Sequence, residues 1–353
     1  MADSLSIFGE GSFEEQIQEL VKYLARGEVD ESRATFIRPF QEALTPVEGQ
    51  TPISEDEEKK KAVIKLLVKD ITGLGDGSDR EIEGFFNLVY AHVLALYPPD
   101  SADSTELVTS LISAITSSPP TDHTFIKYRV LTNLFNALPN RSTLRPRVYK
   151  ALLNLATENE ELDSLQIKPT DVEKWIDEWD ISAEEKSNFV KSISDAFAKL
   201  GQKETAYTYE VAYVRSISPS SPKAQPAALF AIATALRLPS IFNFDALFKI
   251  DAVQVAKDQP LYALLRVILE GSIADLDSWV VANEATLNEF GLEKKALGRK
   301  LRLLVLADFL SKRVGQEVPY ADLASALQVD QSQVEVWVID GSCLHTILIP
   351  VQF

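Results

Sequence analysis

The chain has 353 residues, 46% hydrophobic and 25% charged, a balance that supports packed cores and excludes global disorder. Its formal net charge of −17 argues against tight general nucleic-acid binding, which depends on Lys and Arg neutralising phosphates, and leaves room for a local basic patch. The single cysteine, Cys343, excludes an internal disulfide framework and a Cys-based zinc site, and no stretch approaches the roughly 20 apolar residues of a membrane span.

The first residues lack the basic and apolar regions of a signal peptide, so a cytosolic or nuclear setting is expected. Residues 1–120 carry 22 acidic and 10 basic side chains, and the rest of the chain 30 and 25. Phe13, Ile17, Leu20, Val21 and Leu24 fall at helical spacing and predict a first amphipathic helix. Residues 45–61 read as an exposed connection, with Ser54 and Glu57 as a capping box for a helix carrying Val63, Ile64, Leu67 and Val68. That helix should stop near Gly73-Leu-Gly-Asp-Gly. The next is expected from Arg80 to Leu96, ended by Pro98-Pro99. Lys59-Lys60-Lys61, preceded by four carboxylates, reads as a solvated helix face rather than a localisation signal.

From residue 124 the pattern is a relay of helices. The spacing predicts them over 125–137, 145–157, 172–179, 182–200, 204–216, 224–236, 259–269 and 276–290. Thr170 with Glu173, and Ser182 with Glu185, fit capping boxes. The short loops make successive helices antiparallel neighbours, which describes an α-solenoid without a strict sequence period. A long helix follows over 292–314, with Leu297, Leu301, Leu304, Val305 and Phe309 on one side and Lys294, Lys295, Arg299, Lys300, Arg302, Lys312 and Arg313 on the other. Two short helices close the pattern, over 318–327 and 331–340, joined by a tight turn with Asp330 as N-cap and with Val334, Trp337 and Val338 on one side of the second.

Catalytic chemistry finds no foothold in this pattern. His92, His123 and His345 lack metal-ligand companions at helical spacing and read as surface or loop residues. The glycine-rich segment at 73–77 lacks the Lys-Ser/Thr of a phosphate loop and follows a helix, so it reads as a helix-terminating turn. No catalytic residue, cofactor or metal is assigned. Trp175 and Trp179 lie four apart on one helix face, read first as packing between hairpins and second as a partner-binding ridge. Lys294, Lys295, Arg299 and Lys300 read first as a solvated helix side and second as a patch for RNA or an acidic partner. The segment 331–340 holds two glutamines, two acids within 335–340 and no base, so it suits protein contact better than DNA reading. Val334, Trp337 and Val338 are its candidate partner-binding residues.

Helical repeats followed by this terminal unit resemble the PCI domain, on Lys300-Leu-Arg-Leu-Leu-Val-Leu-Ala, Tyr320-Ala-Asp-Leu-Ala-Ser-Ala-Leu and Val334-Glu-Val-Trp-Val-Ile-Asp. Tyr128-Arg-Val-Leu-Thr-Asn-Leu-Phe-Asn-Ala-Leu, Arg147-Val-Tyr-Lys-Ala-Leu-Leu and Val172-Glu-Lys-Trp-Ile-Asp-Glu-Trp resemble the subunit M family of eukaryotic translation initiation factor 3. The resemblance spans roughly residues 124–340. It implies an all-α chain: an acidic helical region at 1–120, a right-handed helical-repeat part of a PCI domain at 121–291, and a linker helix with a winged-helix-like module at 292–340. It also implies a non-catalytic cytoplasmic scaffold that contacts other PCI and MPN subunits and the small ribosomal subunit, with weak or indirect RNA contact, no DNA and no membrane. Residues 341–353 depart from the family's wing and following helix. They are expected to be an atypical tail with a truncated wing, arising from a retained intron or an alternative terminus. A PCI subunit of the signalosome or proteasome lid is the alternative in the same class. A nucleic-acid-binding winged-helix protein is the alternative in another.

Overall fold

The computed structural model describes residues 11–27, 29–45, 52–118, 124–313 and 316–343, and the regular structure among them is entirely helical. The chain divides into two compact units, Met1–Ser182 and Ala183–Phe353. The first contains α1 (Phe13–Leu24), α2 (Asp30–Leu44), α3 (Glu57–Asp70), α4 (Asp79–Leu96), α5 (Ala102–Ser117), α6 (Thr124–Ala137), α7 (Arg145–Glu158) and α8 (Pro169–Glu178). From α3 onward, packing follows chain order. α3 packs on α4 and α5, α4 on α5 and α6, α5 on α6 and α7, and α6 on α7. Contact with the next helix and the next but one is the arrangement of a helical-repeat array.

Helix starts are set by side chains that satisfy free backbone donors. Ser12 and Ser78 each accept from the N–H three residues on, while the carboxylates of Glu15 and Glu81 accept from the serine N–H groups. These hydrogen bonds, together with Arg26, hold the Glu81 carboxyl down at about 2. The expected box at Ser54 does not form. Ile53–Glu55 is a 3-10 turn, and Asp56 caps α3 by accepting from the Lys59 N–H at 3.0 Å. The box expected at Thr170 is also absent, because the N-cap is two residues earlier, at Lys168, and α8 starts at Pro169, whose missing N–H suits the first helical position. Within the lysine run, Lys61 meets Glu57 and Glu58, as a solvated helix face should, and Lys59 meets Asp56. His92, read as a surface or loop residue, is instead half-buried on α4, edge-on against Phe13 with ring centroids 5.3 Å apart, while His123 and His345 lie outside the described residues.

The glycine-rich segment after α3 owes its composition to Tyr23. That ring is buried, stacks on Phe85 at 4.6 Å, and donates its hydroxyl to the Leu74 carbonyl at 2.8 Å. A Cβ on Gly75, at φ 80°, would sit 2.6 Å from the ring, and one on Gly77 would sit 2.8 Å from it. Both positions therefore have to be bare backbone.

The second unit contains α9 (Ala183–Lys199), α10 (Lys203–Ser216), α11 (Ala224–Arg237), α12 (Asp245–Phe248), α13 (Asp251–Gln254), α14 (Pro260–Glu270), α15 (Ile273–Ala282), α16 (Glu284–Glu289), α17 (Lys294–Ser311), α18 (Tyr320–Leu327) and α19 (Val334–Cys343). α9 and α10 form a closely packed hairpin, and α10 then packs on α11. The single helix expected over 276–290 is two helices. The chain leaves the helical conformation at Asn283, whose side-chain amide donates back to the Trp279 carbonyl. α17 is covered from two directions, by α11, α14 and α15 and by α18 and α19. This explains why its buried positions include Leu303 and Leu306 as well as the expected Leu297 and Leu301. Residues 344–353 lie outside the described residues, and with them the expected wing.

Gly75→Ala combines a left-handed backbone angle with a clash into a buried ring, and should destabilise the first unit by about 2–4 kcal/mol. Gly27→Ala, where an added Cβ meets nothing within 4 Å, should leave stability within about 0.5 kcal/mol of the parent. Chemical denaturation of the two variants checks this contrast.

Candidate protein-docking surfaces

Trp175 and Trp179 share a helix face but serve different ends. Trp179 is 1% exposed and belongs to the core of the first unit, so in this structure it is withdrawn from partners. Trp175 is half-buried, with its ring 6.3 Å from that of Trp179, 5.4 Å from Phe135 and 4.6 Å from Tyr149. Its remaining surface opens into a groove of about 700 Å³. The floor is apolar and aromatic: Phe135, Tyr149 and Leu152. One rim is α6, with Phe125, Arg129 and Thr132, and the other is the segment after α7, with Glu161, Leu165, Gln166 and Asp171.

Local chemistry shapes this second rim. Leu162 is buried and anchors the segment, and the Asn159 amide donates to the Tyr128 hydroxyl at 3.1 Å. Burial raises the Tyr128 pKa to about 12, so it stays a neutral partner. The chain turns through left-handed backbone at Glu160 (φ 59°) and Gln166 (φ 46°). Between residues 158 and 180 there are nine acidic and two basic side chains, so the groove borders the most strongly acidic stretch of the unit. The aromatic faces here already stack with guanidinium groups, since Arg145 lies 4.1 Å over Phe135 and Arg129 lies 5.3 Å over Phe125.

In the second unit, α17, α18 and α19 enclose a small core of Leu306, Leu323, Leu327, Val334 and Val338. Val334 and Val338, expected as partner contacts, are therefore internal. Trp337 is partly buried against the same core, with the Arg302 guanidinium 5.6 Å over its ring. The outward face of α19 presents Val336 and Ile339 instead, 66% and 55% exposed. These lie three apart, the spacing of one helix face. The sequence showed both residues, but the inward-facing valines four apart masked them.

The basic side of α17 is largely used within the chain. Arg299 makes a two-point ion pair with Asp340 at 2.8 and 2.6 Å, and Lys294 pairs with Asp277 at 2.6 Å. Lys312 pairs with Asp308, and Arg313 lies over the Phe309 ring. Lys295 is the one of the four patch candidates that is exposed without an ion pair among the described residues.

Lys300 is a correction to the solvated-face reading. It is 3% exposed, and its Nζ donates to the carbonyls of Ala235 and Leu238, each at 2.6 Å. The Ala235 carbonyl lies in the last turn of α11, where the helix supplies no donor, and the Leu238 carbonyl, at the C-cap, also accepts from the Ile241 N–H at 3.3 Å. The rings of Phe242 and Phe244 lie 5.7 and 5.4 Å away. Burial pulls the Lys300 pKa down from 10.5 to about 7. A neutral amine still offers two N–H groups for two carbonyls.

Because the folded-state pKa lies below the unfolded one, the unfolded chain holds a proton that the folded chain has lost between about pH 7 and 10, and stability rises with pH there. Lys300→Met should flatten this rise while costing about 1–3 kcal/mol near pH 9, where the Ala235 carbonyl loses its side-chain donor and the Leu238 carbonyl keeps only the Ile241 N–H. Denaturant unfolding of parent and variant at about pH 7 and 9 tests the sign.

No family model matches the chain. It is similar to the protein named eukaryotic translation initiation factor 3 subunit M in Dictyostelium discoideum, 29% identical over 271 residues, which is 75% of this chain and 66% of that protein. It is also similar to proteins of the same name in Phaeosphaeria nodorum, 28% identical over 346 residues (95% of this chain, 76% of the relative), and in Aspergillus terreus, 29% identical over 352 residues (96% and 76%). The chain thus spans about two thirds of the first relative and about three quarters of the other two.

Proposed function

We propose that this chain, a member of the initiation factor 3 subunit M family, is a non-catalytic scaffold subunit of that factor and promotes assembly of the preinitiation complex on the small ribosomal subunit. The observation that carries this reading is the reach of the similarity, about 95% of the chain in the fungal relatives and so through both compact units. Fold and surface agree with it. A helical array presents long contact faces, and the terminal three-helix module keeps its apolar core inside while exposing Val336 and Ile339. In this reading the partners are other PCI and MPN subunits and the ribosomal small subunit, met in the cytoplasm, with RNA contact weak or indirect. The internal pairing of Lys294 and Arg299 and the burial of Lys300 leave little of α17 free for phosphates.

Affinity purification of the full chain from its own cells, followed by mass spectrometry, should recover initiation factor 3 subunits with small-subunit ribosomal proteins. Recovery of deneddylase or proteasome-lid subunits instead would assign the chain to one of those assemblies. Val336→Asp with Ile339→Asp alters only exposed positions. It should lower recovery of the directly contacting subunits about tenfold or more while leaving the unfolding transition in place.

A further inference from the structure

We propose that the groove beside Trp175 is a docking site for a peptide segment of a neighbouring protein subunit, one that carries an arginine or lysine flanked by apolar side chains. The proposal rests on the scaffold reading and adds the chemistry of one contact. Three observations favour a cationic, partly apolar occupant. The floor is aromatic, with Trp175 half-buried among Phe135 and Tyr149 and with surface still open to the groove. Tryptophan is the strongest ring for a cation placed over its face. Two rings of the same groove, Phe125 and Phe135, already carry arginines of this chain. The rim then supplies the countercharge. Asp171 lies one helical turn before Trp175 on α8, Glu161 lines the same groove, and the stretch 158–180 holds nine acids against two bases.

The geometry also disfavours the other occupants. A nucleic-acid strand would bring phosphates against Glu161 and Asp171, and a wholly apolar segment would draw no electrostatic attraction from those exposed carboxylates. A segment with one cationic residue between apolar ones meets both requirements. Its guanidinium or ammonium lies against Trp175 and reaches Asp171, and its apolar neighbours cover Leu165 and the exposed ring of Phe125, which is 65% accessible.

The test uses the full chain and fluorescence anisotropy with three short labelled peptides. All share the same leucine and phenylalanine positions and carry arginine, glutamine or glutamate at the others. The arginine peptide should bind, the glutamine peptide about tenfold more weakly, and the glutamate peptide not measurably. Asp171→Lys and the exposed-site variant Phe125→Ser should each weaken the arginine peptide several-fold, and Trp175→Ala about tenfold or more. Lys199→Glu, in the other compact unit, should leave binding unchanged. Equal binding of the arginine and glutamate peptides would overturn the proposal, as would undiminished binding to both Asp171→Lys and Phe125→Ser. A short single-stranded RNA that displaces the arginine peptide would also overturn it, in favour of a nucleic-acid site. A chain that still co-purifies with initiation factor subunits but binds none of the peptides would lose this contact and keep its scaffold role.

Discussion

An amphipathic helix buries only one stripe of its own surface, and in this chain the covering surface comes from helices one and two positions further along. The sequence α3 to α7 shows this most plainly, since each member rests on its successor and on the one after that. Burial of apolar surface is worth roughly 25 cal/mol per Å², so the inward faces carry nearly all the stabilisation. Outward positions are left free to vary. The features that bear on function follow from that division. Val334 and Val338 are consumed by the terminal core, and Trp179 by the core of the first unit, which leaves Val336, Ile339 and part of Trp175 to meet other molecules.

The same division explains what could be read from sequence. Helices with a clear apolar stripe and short loops, such as those at 125–137 and 224–236, were visible within a residue or so of their observed ends. α2 was not, because Pro39 interrupts its interior and hides the spacing of Phe36, Phe40 and Leu44. α5 was missed for a different reason. Its serines and threonines have modest helix propensity, and they outweigh the periodic Leu107, Leu111 and Ile115 to the eye. The cap of α3 lies two residues beyond the expected one because two acceptors compete there, Ser54 and Asp56.

Site residues were legible by type rather than by role. Sequence spacing shows that two tryptophans share a face, but not that only Trp179 is fully buried while Trp175 keeps part of its surface. Similarly, a basic stripe on α17 is plain from the residues, whereas the meeting of Lys300 with the end of α11, some sixty residues earlier, is a tertiary fact. The acidic stretch at 158–180 was present in the sequence throughout. It gained meaning only when the fold laid it beside an open aromatic floor.

Tyr23 and the glycines at 75 and 77 carry a consequence for how such a chain can drift. They are about fifty positions apart, yet the ring occupies the space where two β-carbons would otherwise stand. A smaller side chain at 23 would relieve the steric conflict at 77 but strand the Leu74 carbonyl, and a larger residue at 75 has no tolerated partner while the tyrosine remains. Substitutions on either side are therefore neutral only in company. Related chains should keep the tyrosine and its two glycines together or replace all three, so the first helix and this turn are inherited as one unit.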